Sequence, residues 1–258
     1  MNCKISYLSY CPVKSLSFQK LTTMEVVKEL GVLNDRVFAF SRLIDYKKAL
    51  LAEKDPRVRN LNNFLTLKNT PKLNQYKLEF SDDILTLSKS DKKILSINFK
   101  NPEECEFLAK EILSIDQSIK GPVYLLYNNK YPFYDTTDYK ETFNSISLIN
   151  LNSIKDFEDK INKKIEHERF RGNIYIEGLK AWEESNWIDK TIIINDIRFK
   201  VDCEIPRCSA TNLKPNTDSV TLNLPSKLIE IYEHCNLGVY LKPLDNGKIS
   251  IGDNIKFN

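Results

Sequence analysis

Cys208 closes the run Ile205-Pro206-Arg207-Cys208, and of all side chains in this sequence it has the strongest claim to chemistry. A cysteine thiolate is a nucleophile and a soft ligand suited to a transition metal. Three further clusters mix cations with small polar residues: Pro12-Val13-Lys14-Ser15-Leu16, Gly31-Val32-Leu33-Asn34-Asp35-Arg36 and Glu168-Arg169-Phe170-Arg171-Gly172-Asn173. Guanidinium groups hold phosphate through paired, charge-assisted hydrogen bonds, and lysine adds a compact point charge. Each cluster is therefore a candidate anion site. Taken singly, a surface Lys or Arg is most often a solvated charge, and Asp35-Arg36 also reads as a local salt bridge.

Other chemistries find little support. The chain has only two histidines, His167 and His234, and no Cys-x-x-Cys or His-x-x-x-His spacing, so a zinc site made wholly of protein ligands is hard to assemble. There is no Gly-x-Ser-x-Gly elbow and no Gly-rich phosphate loop, which removes the common serine hydrolases and P-loop enzymes. His167, between two glutamates, reads as a capping or surface residue, and Trp182 and Trp187 as packing residues or the rim of a substrate mouth.

The whole chain sets the frame for these residues. Its 258 residues with 41% hydrophobic content can bury a substantial core. Lys and Arg at 38 against Asp and Glu at 35 leave a net charge of +3, too balanced to imply nucleic acid or a membrane surface as partner. No apolar run reaches the roughly 18 to 20 residues of a membrane-spanning helix, and the N-terminus lacks a signal-peptide layout, so a cytoplasmic location is expected. The six cysteines then stand as free thiols. Cys203 reads as a small buried hydrophobe, and Cys3, Cys11, Cys105 and Cys235 as structural residues.

The elements that must position the candidates are mostly strands. Lys4–Leu8, Arg36–Phe40, Tyr76–Phe80, Ile84–Leu87, Ile94–Phe99 and Val123–Tyr127 carry strand patterns bounded by turn residues. A helix is expected from Asn101-Pro102-Glu103-Glu104, ending before Gly121-Pro122. In the second half, Ser145–Ile149 reads as a strand and a helix follows, with Asn152 or Ser153 as N-cap. Thr191–Val201 reads as a hairpin turning at Asn195-Asp196, and Leu237–Leu241 with Lys248–Phe257 as another turning at Asp245-Asn246-Gly247.

In order, Pro-Val-Lys-Ser at 12–15, Asp35-Arg36, Arg169-Phe170-Arg171-Gly172-Asn173 with Gly178 and Trp187, and Pro206-Arg207-Cys208 resemble MOSC-domain molybdenum-cofactor proteins carrying an N-terminal β-barrel extension. This group includes the mitochondrial amidoxime-reducing component and its bacterial homologues. The likeness continues through Thr211, Pro215-Asn216-Thr217, Gly238-Val239-Tyr240 and Ile251-Gly252-Asp253. The sequence departs from it at Phe143-Asn144-Ser145, where the relatives place Thr or Ser and then Pro.

The resemblance implies a mainly β fold with some α, an N-terminal β-barrel module over residues 1–120 packed on a MOSC β-barrel domain over 121–258, and the cofactor between them. It implies that Cys208 is both the catalytic residue and the molybdenum ligand. Lys14, Ser15, Arg36, Asn144, Arg171, Asn173, Pro206 and Arg207 would contact a molybdopterin-type cofactor. The implied reaction is reduction of small N-hydroxylated compounds, amidoximes and hydroxylamines, with electrons from a separate protein, a flavin reductase acting through a cytochrome b5-like or ferredoxin-like carrier. No iron–sulfur module or membrane anchor is expected within the chain. The alternative is a carrier that uses Cys208 to hold molybdenum cofactor or sulfur without reductase turnover.

Overall fold

The computed structural model describes residues 3–134 and 146–257. The first half runs β1 (Lys4–Tyr10), β2 (Gln19–Leu21), β3 (Thr23–Val27), β4 (Gly31–Val32), β5 (Phe38–Arg42), α1 (Tyr46–Lys54), β6 (Tyr76–Ser81), β7 (Ile84–Lys89), β8 (Lys92–Asn98), α2 (Pro102–Ser114) and β9 (Val123–Tyr127). The second half runs β10 (Ile146–Asn150), α3 (Leu151–Ile161), β11 (Ile174–Glu177), β12 (Thr191–Ile194), β13 (Ile197–Pro206), α4 (Leu224–Tyr232), β14 (Asn236–Pro243), β15 (Gly247–Ser250) and β16 (Ile255–Phe257). The fold is thus mainly β.

The main sheet has eight strands in the order β16-β12-β13-β14-β10-β11-β1-β2. Its last two strands come from the first half: β1 lies antiparallel to β11, with Lys4 opposite Glu177 and Leu8 opposite Ile174. A second exchange joins β3 to β15, with Val26 opposite Gly247. These pairings put Ile5, Leu8, Met24 and Val26 into one apolar core with Leu148, Ile174, Val239 and Ile249. The remaining first-half strands form a three-stranded β6-β7-β8 sheet and a β5-β9 pair. These pack with α2 around a second core that includes Phe38, Leu85, Leu108 and Ile112 and takes in Leu213 from the second half.

The hairpin expected between β14 and β15 does not form. Both edges of β14 are taken, by β13 and β10, so after the turn at Asp245-Asn246-Gly247 the chain pairs with β3 instead. The strand β3 escaped the sequence reading because it is short, although its outward Thr23 and Glu25 alternate with buried Met24 and Val26. The β12–β13 hairpin forms as expected, with Ile194 opposite Ile197.

The expected helix at 101 is α2, capped by Asn101 with Pro102 at its first position. The N-cap of α3 is Asn150, whose side-chain oxygen accepts from Asn152 N, and not Asn152 or Ser153. Ser153 is fully buried and donates instead to Glu184 Oε1 at 2.7 Å. Among the described residues no helix is long and apolar enough to cross a membrane.

Candidate functional site

The loop between β1 and β2, residues 11–18, is the hub of the site. Its backbone is fixed from below by Asp35, a fully buried carboxylate. Asp35 Oδ1 accepts from Cys11 N at 2.7 Å, and Oδ2 accepts from Asn173 Nδ2 at 3.2 Å and from Arg36 Nη1. The salt-bridge reading of Asp35-Arg36 therefore holds, and the pair also ties the two halves of the chain together. Burial works against the Arg36 charge, but the Asp35 carboxylate more than offsets it and holds Arg36 above its ordinary range.

Arg36 and Arg171 converge on one ring. The Arg36 guanidinium carbon lies 5.1 Å from the centroid of Phe18 and that of Arg171 lies 4.9 Å from it, both within cation–π range. Arg171 Nη2 also donates to Leu16 O at 2.9 Å. Lys14, buried, donates through Nζ to Phe133 O at 3.1 Å. Ser15, Arg36 and Arg171 all adopt left-handed backbone, with φ of 69°, 55° and 52°. Such positions cost of the order of 1 kcal/mol each for non-glycine residues and tend to gather at binding sites.

Two of the expected contacts have protein partners of their own. Asn173 is fully buried: its Oδ1 accepts from Ser147 Oγ at 2.8 Å, and its Nδ2 donates to Ser9 O as well as to Asp35. Its amide locks β10, β1 and Asp35 in register. Pro206 is exposed at the end of β13, opposite Asn236. Asn144 lies outside the described residues.

Arg207 is buried, and its donors go to backbone carbonyls: Nε and Nη2 to Leu237 O and Nη1 to Phe170 O, at 2.9 Å for the last. Among the described residues no carboxylate pairs with it. Burial pushes its pKa down to about 10, so it remains a cation at neutral pH. Close packing holds this geometry. A Cβ on Gly238 would lie 2.5 Å from Leu148 O and 3.3 Å from Arg207 Nη2, and one on Gly172 would lie 2.6 Å from the Ile149 side chain. Cys208 follows as a partly exposed free thiol, capping the short 3-10 turn Ser209–Asn212 through its backbone and making no side-chain capping bond. Cys203 is exposed, contrary to its reading as a buried hydrophobe. The pairing of β13 with β14 shifts register between Val201 and Glu204, and such an irregularity rotates side chains off the alternation.

A cleft of about 470 Å³ opens beside this group, lined by Phe18, Asn74, Glu168, Arg171, Ala210 and Leu213 among others. It sits where the two halves meet, with Arg171 on its wall and Ala210 two residues past Cys208. The sequence reading missed Phe18, Tyr134 and Tyr240. Tyr240 lies near both Arg36 and Arg207. Phe18 and Tyr134 carry no motif signal, because a ring beside a cation is a property of the fold. His167 stacks on Tyr7 at 4.7 Å, and Trp187 is buried in the main core, so both serve packing.

The fold is β-rich, brings guanidinium groups from both halves onto the Phe18 ring and leads from Arg207 into a partly exposed thiol, and residues 139–256 match the MOSC domain model. The second half of the chain is thus similar to the MOSC domain family. Its relatives include mitochondrial amidoxime reducing component 2 of Rattus norvegicus, 28% identical over 120 residues that make up 42% of this chain and 35% of that one. Mitochondrial amidoxime-reducing component 1 of Homo sapiens is 23% identical over 232 residues, 74% of this chain and 68% of that one. The match thus spans about a third of the length of the first of these relatives. Among solved structures, the YUAD protein of Bacillus subtilis aligns over 99% of this chain and 94% of its own, with 11% identity and a TM-score of 0.45.

Proposed function

We propose that this chain is a molybdenum-cofactor oxidoreductase that reduces N-hydroxylated compounds such as amidoximes and hydroxylamines, using electrons from a separate protein. The observation that carries the reading is Arg207: a buried cation with no carboxylate partner among the described residues, directly preceding a partly exposed thiol. A buried charge without a counter-ion calls for an anion nearby.

The donor set suits molybdopterin, a polar pterin bearing a phosphate. Arg36 and Arg171 share the Phe18 ring, Lys14 and Ser15 lie on the same loop, and the Tyr134 hydroxyl is buried with no hydrogen-bond partner among the described residues. Guanidinium groups are matched to phosphate by geometry as well as charge. By family likeness Cys208 would be the one protein ligand of the metal, whose other ligands the cofactor would bring.

Bound there, the cofactor supplies two-electron redox chemistry at its metal. The chain's part is to hold and shape the site. Lys14, Ser15, Arg36, Arg171 and Arg207 bind and orient the anionic group, Pro206 sets the approach of the strand to Arg207, and Asn173 keeps Asp35 in place beneath Arg36. Asn144 belongs to this set by its position alone, since its residue type departs from the family's Thr or Ser. The module of residues 1–120 and the domain of 121–258 flank the site. The amidoxime-reducing names of the relatives indicate the substrate class, and a flavin reductase with a cytochrome b5-like or ferredoxin-like carrier is the matching electron source. A cytoplasmic location accompanies this reading.

The test is expression of the full chain in a host that makes molybdopterin. Metal and pterin content are measured for wild type and Cys208→Ala, and turnover of benzamidoxime is followed with a reduced dye. Bound molybdenum with turnover supports the reading, and well-folded wild type lacking both metal and pterin sinks it. Metal retained without turnover points instead to a carrier role for Cys208.

A further inference from the structure

The Arg36 guanidinium is walled by two rings: its central carbon is 5.1 Å from the centroid of Phe18 and 5.3 Å from that of Tyr134. One of its edges is spent on Asp35. An arginine already paired with a buried carboxylate attracts an anion weakly by charge alone, because the carboxylate repels the same anion. A receptor at this point needs a donor that Asp35 does not cancel. Tyr134 supplies one. Its hydroxyl oxygen is buried, meets no hydrogen-bond partner among the described residues, and sits on the ring against which Arg36 rests. Leaving a buried hydroxyl unsatisfied is costly, so its persistence calls for a ligand.

We propose that the Tyr134 hydroxyl donates a hydrogen bond to a phosphate-type oxyanion held at Arg36, completing a site of two walls, one cation and one neutral donor. The inference rests on the cofactor reading above and adds a contact that the sequence motifs do not contain. Burial, reinforced by Asp35, holds the Tyr134 phenol above its ordinary range, so it stays a donor throughout the working pH range.

The decisive variant is Tyr134→Phe, which keeps the ring over Arg36 and removes only the hydroxyl. Two measurements separate a ligand-facing role from a structural one. In the first, the cofactor-free full chain is titrated with inorganic pyrophosphate by calorimetry, where the variant should bind about tenfold more weakly than wild type. In the second, the ligand-free melting temperature of the variant should equal or exceed that of wild type, because an unsatisfied buried group has been removed. Equal pyrophosphate affinities overturn the proposal, as does a wild type that does not bind pyrophosphate. So does a variant whose melting temperature falls along with its affinity. Pterin content of both proteins from a molybdopterin-making host is measured in parallel. Wild type lacking pterin removes the cofactor reading, while the pyrophosphate comparison still decides the role of Tyr134.

Discussion

Arg207 donates through Nη1 to the carbonyl oxygen of Phe170 at 2.9 Å, and this bond couples the strand that delivers Cys208 to the turn that delivers Arg171. The carbonyl anchors the guanidinium without neutralising it. The Arg169–Asn173 and Pro206–Cys208 segments are therefore tied directly to each other, and the site depends on buried backbone geometry as much as on its charged ends.

Asp35 collects donors from Cys11, Arg36 and Asn173, and is fully buried. Asp35→Ala orphans all three at once and leaves Arg36 without its counter-ion. The expected loss is about 3 to 5 kcal/mol of unfolding free energy, read from urea titrations. Asp35→Asn should lose less, because it keeps an acceptor and the side-chain volume. Equal losses for the two would remove the charge from the explanation.

Gly238 and Gly252 both have positive φ, at 82° and 93°, but only Gly238 is crowded. Gly252→Ala should cost about 1 kcal/mol, the backbone penalty alone. Gly238→Ala adds an overlap with Leu148 O and pressure on Arg207, so its cost should exceed that of Gly252→Ala by about 1 to 3 kcal/mol. Similar melting temperatures for the two variants would show that the strand edge can yield.

Glu184 is fully buried, and burial raises its pKa, although Asn150 Nδ2 and Ser153 Oγ donate to it and partly hold it down. The folded state thus binds this proton more tightly than the unfolded state, whose pKa is the ordinary 4.5. The group's contribution to stability is fully present below that value and is lost as pH rises through the raised folded pKa. Glu184→Gln removes this slope. Relative to wild type, the variant should gain stability between pH 4.5 and neutrality, measured as the shift in urea midpoint at the two pH values. A constant difference across that range would contradict the assignment.

The cysteines should sort by burial when the native protein meets an aromatic disulfide reagent. Cys203, exposed, should react first, followed by Cys208, Cys105 and Cys235, all partly exposed. Cys3, pushed up to about 11 chiefly by burial, and Cys11, buried with its thiol donating to Val13 O, should react only on unfolding. Cys208→Ala should change stability by less than about 1 kcal/mol, since that side chain makes no capping bond. Peptide mapping of the labelled thiols checks the order.

Much of this was legible in the residues. The strand patterns from Lys4 to Tyr127 and the α2 start at Asn101-Pro102 followed from periodicity and capping, which are local. The β3–β15 pairing was not legible, because nothing near Gly247 records that both edges of β14 are filled. At the site, Lys14, Arg36, Arg171 and Cys208 stand in recognisable motifs. Phe18 and Tyr134 matter only because the fold brings Arg36 against them, and neither has a periodic or motif signature. Cys203 shows the same limit: strand alternation predicts it inward, and a shift of register turns it out.

The crossing of β1 into the second-half sheet sets a timetable for synthesis. Ser9, in β1, bonds to Gly172, 163 positions further along the chain. At roughly 5 to 20 residues per second, the ribosome takes on the order of ten to thirty seconds to deliver that partner. Throughout that interval the strand carrying Ile5 and Leu8 can pair only with the short β2 on one edge, and its other edge stays open until β11 is made, so the nascent chain is most vulnerable to aggregation before that strand emerges.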